Sequence, residues 1–186
     1  MTRYTLLLIV LFTSLYVKGQ TSYKDWKEVG DSAFINEDYP KALYAMEHAK
    51  QFIPKDLSPK EKAEFYNNLG VACYETGNYK DGIEASTKAC SFYYQTGNYT
   101  LIAESMHNLG VMYKGLGLSD RAMDYLSKSA RIFERLQSMD MLASTWNSMG
   151  NVCRDTRKFE KAVNYHFRAL NVRKRINYEK GIADSY

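Results

Sequence analysis

Thr76-Gly77-Asn78-Tyr79 returns unchanged twenty residues later as Thr96-Gly97-Asn98-Tyr99. Glycine followed by asparagine is turn chemistry. Glycine enters the left-handed conformation without a β-carbon penalty, and asparagine caps the next helix or sits in the turn. Two such turns leave room between them for one helix of ~17 residues, or ~25 Å. Doubling the interval uncovers a longer period. Gly30, Gly70, Gly110 and Gly150 are forty residues apart each time. Before them stand Val29, Leu69, Leu109 and Met149, and three residues further back Trp26, Tyr66, Met106 and Trp146. Twelve residues after the glycines come Ala42, Gly82, Ala122 and Ala162, and seven further on Ala49, Ala89, Ser129 and Ala169. Between them, at the turn, stand Tyr39, Tyr79, Ser119 and Phe159. A recurring unit of this length cannot bury its apolar face alone, so neighbouring units must stack.

Each unit reads as two helices. In "YNNLGVACY", residues 66–74, the apolar positions recur at three- and four-residue steps. Ser58-Pro59-Lys60-Glu61 has the form of a capping box with proline at the first helical position. Asp38 is placed to cap a helix that tolerates Pro40 in its first turn, and Ser119 to cap the helix that follows it. Pro54 is expected to stop the helix before it. The small columns, Gly70 against Gly82 and Gly110 against Ala122, are expected to let antiparallel helices approach closely.

With these columns in place the pattern resembles the tetratricopeptide repeat, whose motif is Trp-x2-Leu-Gly-x2-Tyr followed by alanine, an aromatic, alanine and often proline. Trp26, Val29, Gly30, Ala42, Ala49 and Pro54 follow it in the first unit, and Tyr66, Leu69, Gly70, Tyr79 and Ala89 in the second. Leu109, Gly110, Tyr113, Ala122, Leu126 and Ala130 follow it in the third, and Trp146, Met149, Gly150, Phe159, Ala162 and Ala169 in the fourth. The resemblance runs from Tyr23 to Tyr186. The period of 40 instead of the usual 34 is similar to a long-helix subclass. HEAT-type repeats also run near this length, but the small-residue columns do not favour them. The fold implied is all-α: a right-handed superhelical α-solenoid of antiparallel helix pairs. It would hold four full repeats, at about 23–62, 63–102, 103–142 and 143–182, within a helical-repeat domain spanning 20–186. Ile182-Ala183-Asp184-Ser185-Tyr186 aligns with Leu142-Ala143-Ser144-Thr145-Trp146, the start of a fifth unit. A longer protein, truncated here after its first aromatic, is expected over a natural stop with a frayed last helix.

The opening twenty residues differ from the rest. Arg3 precedes an uncharged, mostly apolar run from Tyr4 to Val17, and Val17 and Gly19 are small or medium-sized. This is the layout of a secretory signal peptide, residues 1–19, cleaved after Gly19. A membrane anchor is the alternative, but the run of 14 residues falls short of the roughly 20 that a spanning helix needs. Export to the periplasm, or to the extracytoplasmic side of a bacterial membrane, follows as the expectation. Cys73, Cys90 and Cys153 then meet an oxidising environment. Cys73 and Cys153 share a column two units apart, beyond the ~7 Å between α-carbons that a disulfide tolerates, so buried thiols are expected.

No catalytic constellation is recognisable. A phosphate loop ending in Gly-Lys-Ser/Thr, an HExxH helix and a Gly-x-Ser-x-Gly elbow are all missing from the sequence. His48, His107 and His166 fall in different columns of different units, so no metal site is expected, and His166 is expected to pack between helices. No enzyme activity and no cofactor are expected of these residues. In arrays of this family the first helix of each unit lines the concave face. The resemblance therefore implies a peptide-binding groove at Asn67, Asn68, Tyr74, His107, Asn108, Lys114, Asn147, Asn151 and Arg154, with Ser148 beside them. Asparagine carries both a donor and an acceptor, so a ladder of them can satisfy an extended peptide backbone. The competing role for the asparagines is intramolecular bridging.

Charge is uneven. Residues 143–182 carry nine Lys/Arg against three Asp/Glu, while the chain as a whole has net charge +4. The basic end suits an acidic ligand or a following segment, and export makes nucleic acid a poor partner. A protein or peptide partner is expected, with the membrane reached only through an uncleaved signal or a segment beyond Tyr186. A signal peptide followed by long repeats is similar to the N-terminal region of some bacterial sensor histidine kinases. The expected role is the sensory part of a larger signalling protein; the alternative is a stand-alone periplasmic or surface adaptor.

Overall fold

The computed structural model describes residues 22–176. The signal peptide at residues 1–19 and the fifth-unit start at Ile182–Tyr186 lie outside them. Among the described residues the structure is all-α, with eight helices and no strand. No helix there is long and apolar enough to cross a membrane. The chain divides between Leu57 and Ser58 into two compact units.

The first unit is one helix pair, α1 (Tyr23–Ile35) and α2 (Tyr39–Lys50). Ser22 caps α1 by accepting from the Asp25 N–H at 3.2 Å. Asp38 caps α2 by accepting from the Lys41 N–H at 3.3 Å, with Pro40 in the first turn. Trp26, Gly30 and Ala33 bury against Ala42, Ala45, Met46 and Ala49, and the His48 ring stacks on Trp26 at 4.6 Å between centroids. These helices have 13 and 12 residues, shorter than the ~17 that the turn spacing predicts. Pro54 does not stop α2. The helix ends at Lys50, where Gln51 and Phe52 return their N–H groups to His48 and Ala49, and Pro54 lies in the connection that follows.

The second unit holds three helix pairs: α3 (Pro59–Glu75) with α4 (Tyr79–Thr96), α5 (Tyr99–Gly115) with α6 (Ser119–Arg135), and α7 (Met139–Asp155) with α8 (Phe159–Arg175). These helices run 17 or 18 residues, as the spacing predicts. Within this unit each helix packs on the next in the chain, and α5 also touches α3 and α7. The first helices of the three pairs thus adjoin one another along one face of this solenoid stack. One apolar cluster joins Ala63, Ala89, Cys90, Tyr93, Ile102 and Met106; the next joins Leu126, Phe133, Leu142, Met149 and Val152. Ser129 occupies a small-residue column, and its buried hydroxyl donates to the Ala103 carbonyl at 2.8 Å across the α5–α6 interface. Cys73, Cys90 and Cys153 are buried, and burial pushes the Cys90 and Cys153 thiols up, which lowers their nucleophilicity.

The capping box at Ser58 and Glu61 forms with both of its hydrogen bonds. Asn98 caps α5 by accepting from the Leu101 N–H at 3.1 Å. Asn78 holds the cap position of α4 without a capping bond. Ser119 is not a cap: it is already the first residue of α6, and Leu118 fills the cap position with no side chain able to accept. The start is fixed by the repeated turn, which opens the second helix at Tyr39, Tyr79, Ser119 and Phe159 alike.

Gly77 and Gly97 are left-handed, at φ 77° and 68°. The same conformation recurs where the sequence offers no glycine, at Glu37, Gln137 and Arg157, with φ 57°, 55° and 58°. A residue bearing a β-carbon pays roughly 1–2 kcal/mol there, part of which glycine returns as unfolded-state entropy. Gln137→Gly and Arg157→Gly should therefore each raise stability by about 0.5–1 kcal/mol in urea denaturation. A loss of stability in both would contradict the left-handed turns.

Candidate functional site: a groove along the first helices

The site begins with the pitch of the first helices. Asn68 and Asn108 precede the columns of Leu69 and Leu109, which are buried, so they stand beside the helix stripe that packs inward and turn to the half-exposed edge. The edges of α3, α5 and α7 converge on a cavity of ≈ 320 Å³. Its apolar wall is Val71 from α3, Val111 and Met112 from α5, and Leu126 from α6. Its polar groups are Tyr74 and Glu75 from α3, His107, Asn108 and Lys114 from α5, and Ser148 and Asn151 from α7. An apolar wall with a few convergent polar groups is the usual composition of a ligand site.

Of the nine residues predicted for the groove, Tyr74, His107, Asn108, Lys114 and Asn151 meet in this cavity. Asn67, Asn68, Asn147 and Arg154 lie outside its lining. Asn67 and Asn68 are half-buried on α3. Asn147 bridges helices: its Oδ1 accepts from His166 Nδ1 at 2.8 Å. That bond places the His166 ring over Gly150, where a β-carbon would come within 2.7 Å of the imidazole. His166 thus packs between α7 and α8 with one nitrogen satisfied. Arg154 is exposed and pairs with Asp155 at 3.2 Å, and Lys114 reaches the same carboxylate from α5 at 3.5 Å. Ion pairs this exposed contribute at most about 1 kcal/mol, so Lys114 remains free to exchange Asp155 for a ligand anion. Glu75 was not predicted. Its only signal is its place next to Tyr74, just before the Thr76-Gly77 turn, where a first helix delivers its last turn to the groove.

Electrostatically the groove holds few charges. Burial, followed by the nearby Glu75 and Tyr79, pushes the Tyr74 phenol up, which keeps it a neutral donor and acceptor. Burial pushes the His107 imidazole down to about 4, so it is neutral at physiological pH. His107 Nδ1 lies 3.1 Å from Thr145 Oγ1, and that hydroxyl donates to the Met141 carbonyl at 2.8 Å. The sign of the linkage follows. Between pH 6.5 and about 4 the unfolded His107 binds a proton that the folded one refuses, so stability is full above 6.5 and is lost as pH falls through that window. About 1–3 kcal/mol of urea-measured stability should disappear across it, given ~1.4 kcal/mol per pH unit and the partial exposure of the ring. The loss should shrink in His107→Gln. An equal loss in both proteins would contradict the buried neutral imidazole.

Among the described residues, no group of three or more His, Cys, Asp or Glu side chains could hold a metal ion. The geometry offers hydrogen-bonding groups on an apolar wall, the means of holding a ligand.

Two family models, each described as tetratricopeptide repeat, match residues 61–135 and 145–177, together more than half of the chain. No curated protein sequence matches it. Solved structures similar to it include the Rap conjugation gene regulator of plasmid pLS20 in complex with the Phr* peptide. That match has 23% identity and a TM-score of 0.68, and covers 80% of this chain and 42% of the other. A Rap protein complexed with competence and sporulation factor matches with 15% identity and a TM-score of 0.73, over 87% of this chain and 46% of the other. A signal transduction ATPase with numerous domains from Pyrococcus horikoshii, which has a tetratricopeptide repeat sensor, matches with 14% identity and a TM-score of 0.76. It is covered over 88% of this chain and 25% of the other. The chain thus spans less than half the length of these three proteins, and at such identities the likeness is one of fold.

Proposed function

Because the chain belongs to the tetratricopeptide repeat family, we propose that it is an interaction module that holds a peptide, or an extended segment of a protein, along the first helices of its second unit. One observation carries this reading: Tyr74, His107, Asn108, Lys114 and Asn151, from three successive first helices, converge on one cavity with an apolar wall. Asn108 and Asn151 supply donor and acceptor pairs for a peptide backbone, and Val71, Val111, Met112 and Leu126 receive an apolar side chain. The two Rap structures, one in complex with the Phr* peptide and one complexed with competence and sporulation factor, support the reading as cases of what other proteins of this fold hold.

The test is selection from a displayed random-peptide library, followed by affinity measurement on the synthesised winner. Asn108→Ala combined with Asn151→Ala should weaken binding about tenfold to a hundredfold, the range for losing two hydrogen bonds. Helicity and melting temperature should stay near those of the parent. Unchanged affinity would return both asparagines to a structural role.

The wider setting belongs to the same proposal. Residues 1–19 read as an export signal, so the groove works outside the cytoplasm. The module is the sensory part of a larger signalling protein of the histidine kinase type, and the signal transduction ATPase with its tetratricopeptide repeat sensor supports that arrangement by analogy. Immunodetection in fractionated host cells tests both points. A species several times larger than 21.5 kDa in the envelope fraction is expected. A slightly smaller species in the periplasm would favour the stand-alone adaptor, and a cytoplasmic one would contradict export.

A further inference from the structure

We infer that His107 is a preset hydrogen-bond acceptor in the groove, and that the bound peptide must bring an N–H or O–H donor to its Nε2 atom. This rests on the peptide-binding reading above and specifies what the peptide presents. The argument begins at Thr145, which is buried on α7. A hydroxyl has one hydrogen to give, and Thr145 gives it to the Met141 carbonyl at 2.8 Å. Toward His107 its oxygen can then only accept. The imidazole nitrogen facing it at 3.1 Å, Nδ1, must therefore carry the ring proton. In a neutral imidazole the other nitrogen is then bare. Nε2 makes no hydrogen bond among the described residues, yet it is not among the buried orphaned atoms, and His107 lines the cavity. Its lone pair is thus reachable from the groove.

The recognition that follows is directional. A carbonyl or carboxylate oxygen brought to Nε2 meets another lone pair and is rejected. A backbone amide, a side-chain amide or a hydroxyl is accepted. The neighbouring wall of Val111 and Met112 favours an apolar side chain next to that donor. Leaving one partner of a buried hydrogen bond unpaired is what makes such sites selective.

The experiment is ¹⁵N NMR of the His107 ring in the full chain, first alone and then with a pooled random heptapeptide library. Alone, Nδ1 should report as protonated and Nε2 as bare, and Thr145→Val should remove that bias while Thr145→Ser keeps it. With peptides, the Nε2 resonance should move in the direction of an accepted hydrogen bond. For a peptide purified from the pool, His107→Phe should weaken binding about tenfold, and His107→Gln, which retains a carbonyl acceptor, about threefold or less. The opposite tautomer in the free protein would overturn the inference. Peptide binding that leaves Nε2 unmoved would overturn it while sparing the peptide-binding reading. Failure of the pool to bind anywhere would overturn both.

Discussion

Gly110→Leu should cost about 3 kcal/mol or more and lower the melting temperature by roughly 10 °C. The cause is a helix crossing with no room for a β-carbon. An atom built there would stand 2.6 Å from Leu126 Cγ, 2.9 Å from Leu126 Cδ2 and 3.1 Å from the Ala122 carbonyl oxygen. Leu126 is fully buried and the carbonyl belongs to the α6 backbone, so neither can swing aside. Relief requires α5 and α6 to part, and that opens the cluster of Phe133, Leu142 and Val152 beneath them. Gly70 is the informative contrast. Its β-carbon would press mainly on the Ser86 hydroxyl, a small group that can rotate, with backbone atoms at 3.4 and 3.5 Å. Gly70→Ala should therefore cost less than Gly110→Ala. Equal melting temperatures for Gly110→Leu and the parent would show that α5 and α6 do not cross there.

Phe133→Ala should cost about 3–5 kcal/mol. Its side chain is 0% exposed and sits in the cluster shared by α5, α6 and α7. Removing the ring leaves a cavity that Leu126, Leu142 and Val152 cannot close, because the fixed spacing of the helices holds them back. Phe167→Ala should change stability by no more than about 0.5 kcal/mol, since that ring is 61% exposed on α8. Urea denaturation of the two variants separates a buried from an exposed phenylalanine in neighbouring repeats. Comparable losses would contradict the packing.

Composition treats those two phenylalanines alike, and the repeat columns distinguish them only in part. Phe133 shares its column with Tyr93 and Arg173, all three buried, though an arginine there gives the sequence no hint of a core position. The large features were legible because they rest on local chemistry repeated several times. The glycine columns, the turns at Gly77 and Gly97 and the Ser58–Glu61 capping box each follow from one residue type meeting one backbone requirement. What stayed hidden depends on the structure around a residue. Leu118 caps α6 because the turn before it repeats a fixed geometry, which outweighs its own poor capping chemistry. Glu37, Gln137 and Arg157 adopt left-handed conformations for the same reason.

The site shows the same division. The asparagine ladder was visible along the chain, but equal columns did not give equal roles. Within the second unit α5 has a first helix on either side, so His107, Asn108, Val111 and Met112 all reach the cavity. Asn147, one repeat on from His107, is drawn off by His166. The His107–Thr145 bond joins residues 38 apart. It depends on the vertical register of α5 against α7, which periodicity alone does not set.

The proposed function places a peptide along α3, α5 and α7. Photo-crosslinking measures this most directly, with a benzophenone amino acid placed at Val111 in the cavity wall or at Thr87 on the exposed side of α4. A library-selected peptide should crosslink to the protein labelled at position 111 and leave the protein labelled at position 87 unmodified. Crosslinking at 87 with none at 111 would place the ligand on the second helices and overturn the proposed groove.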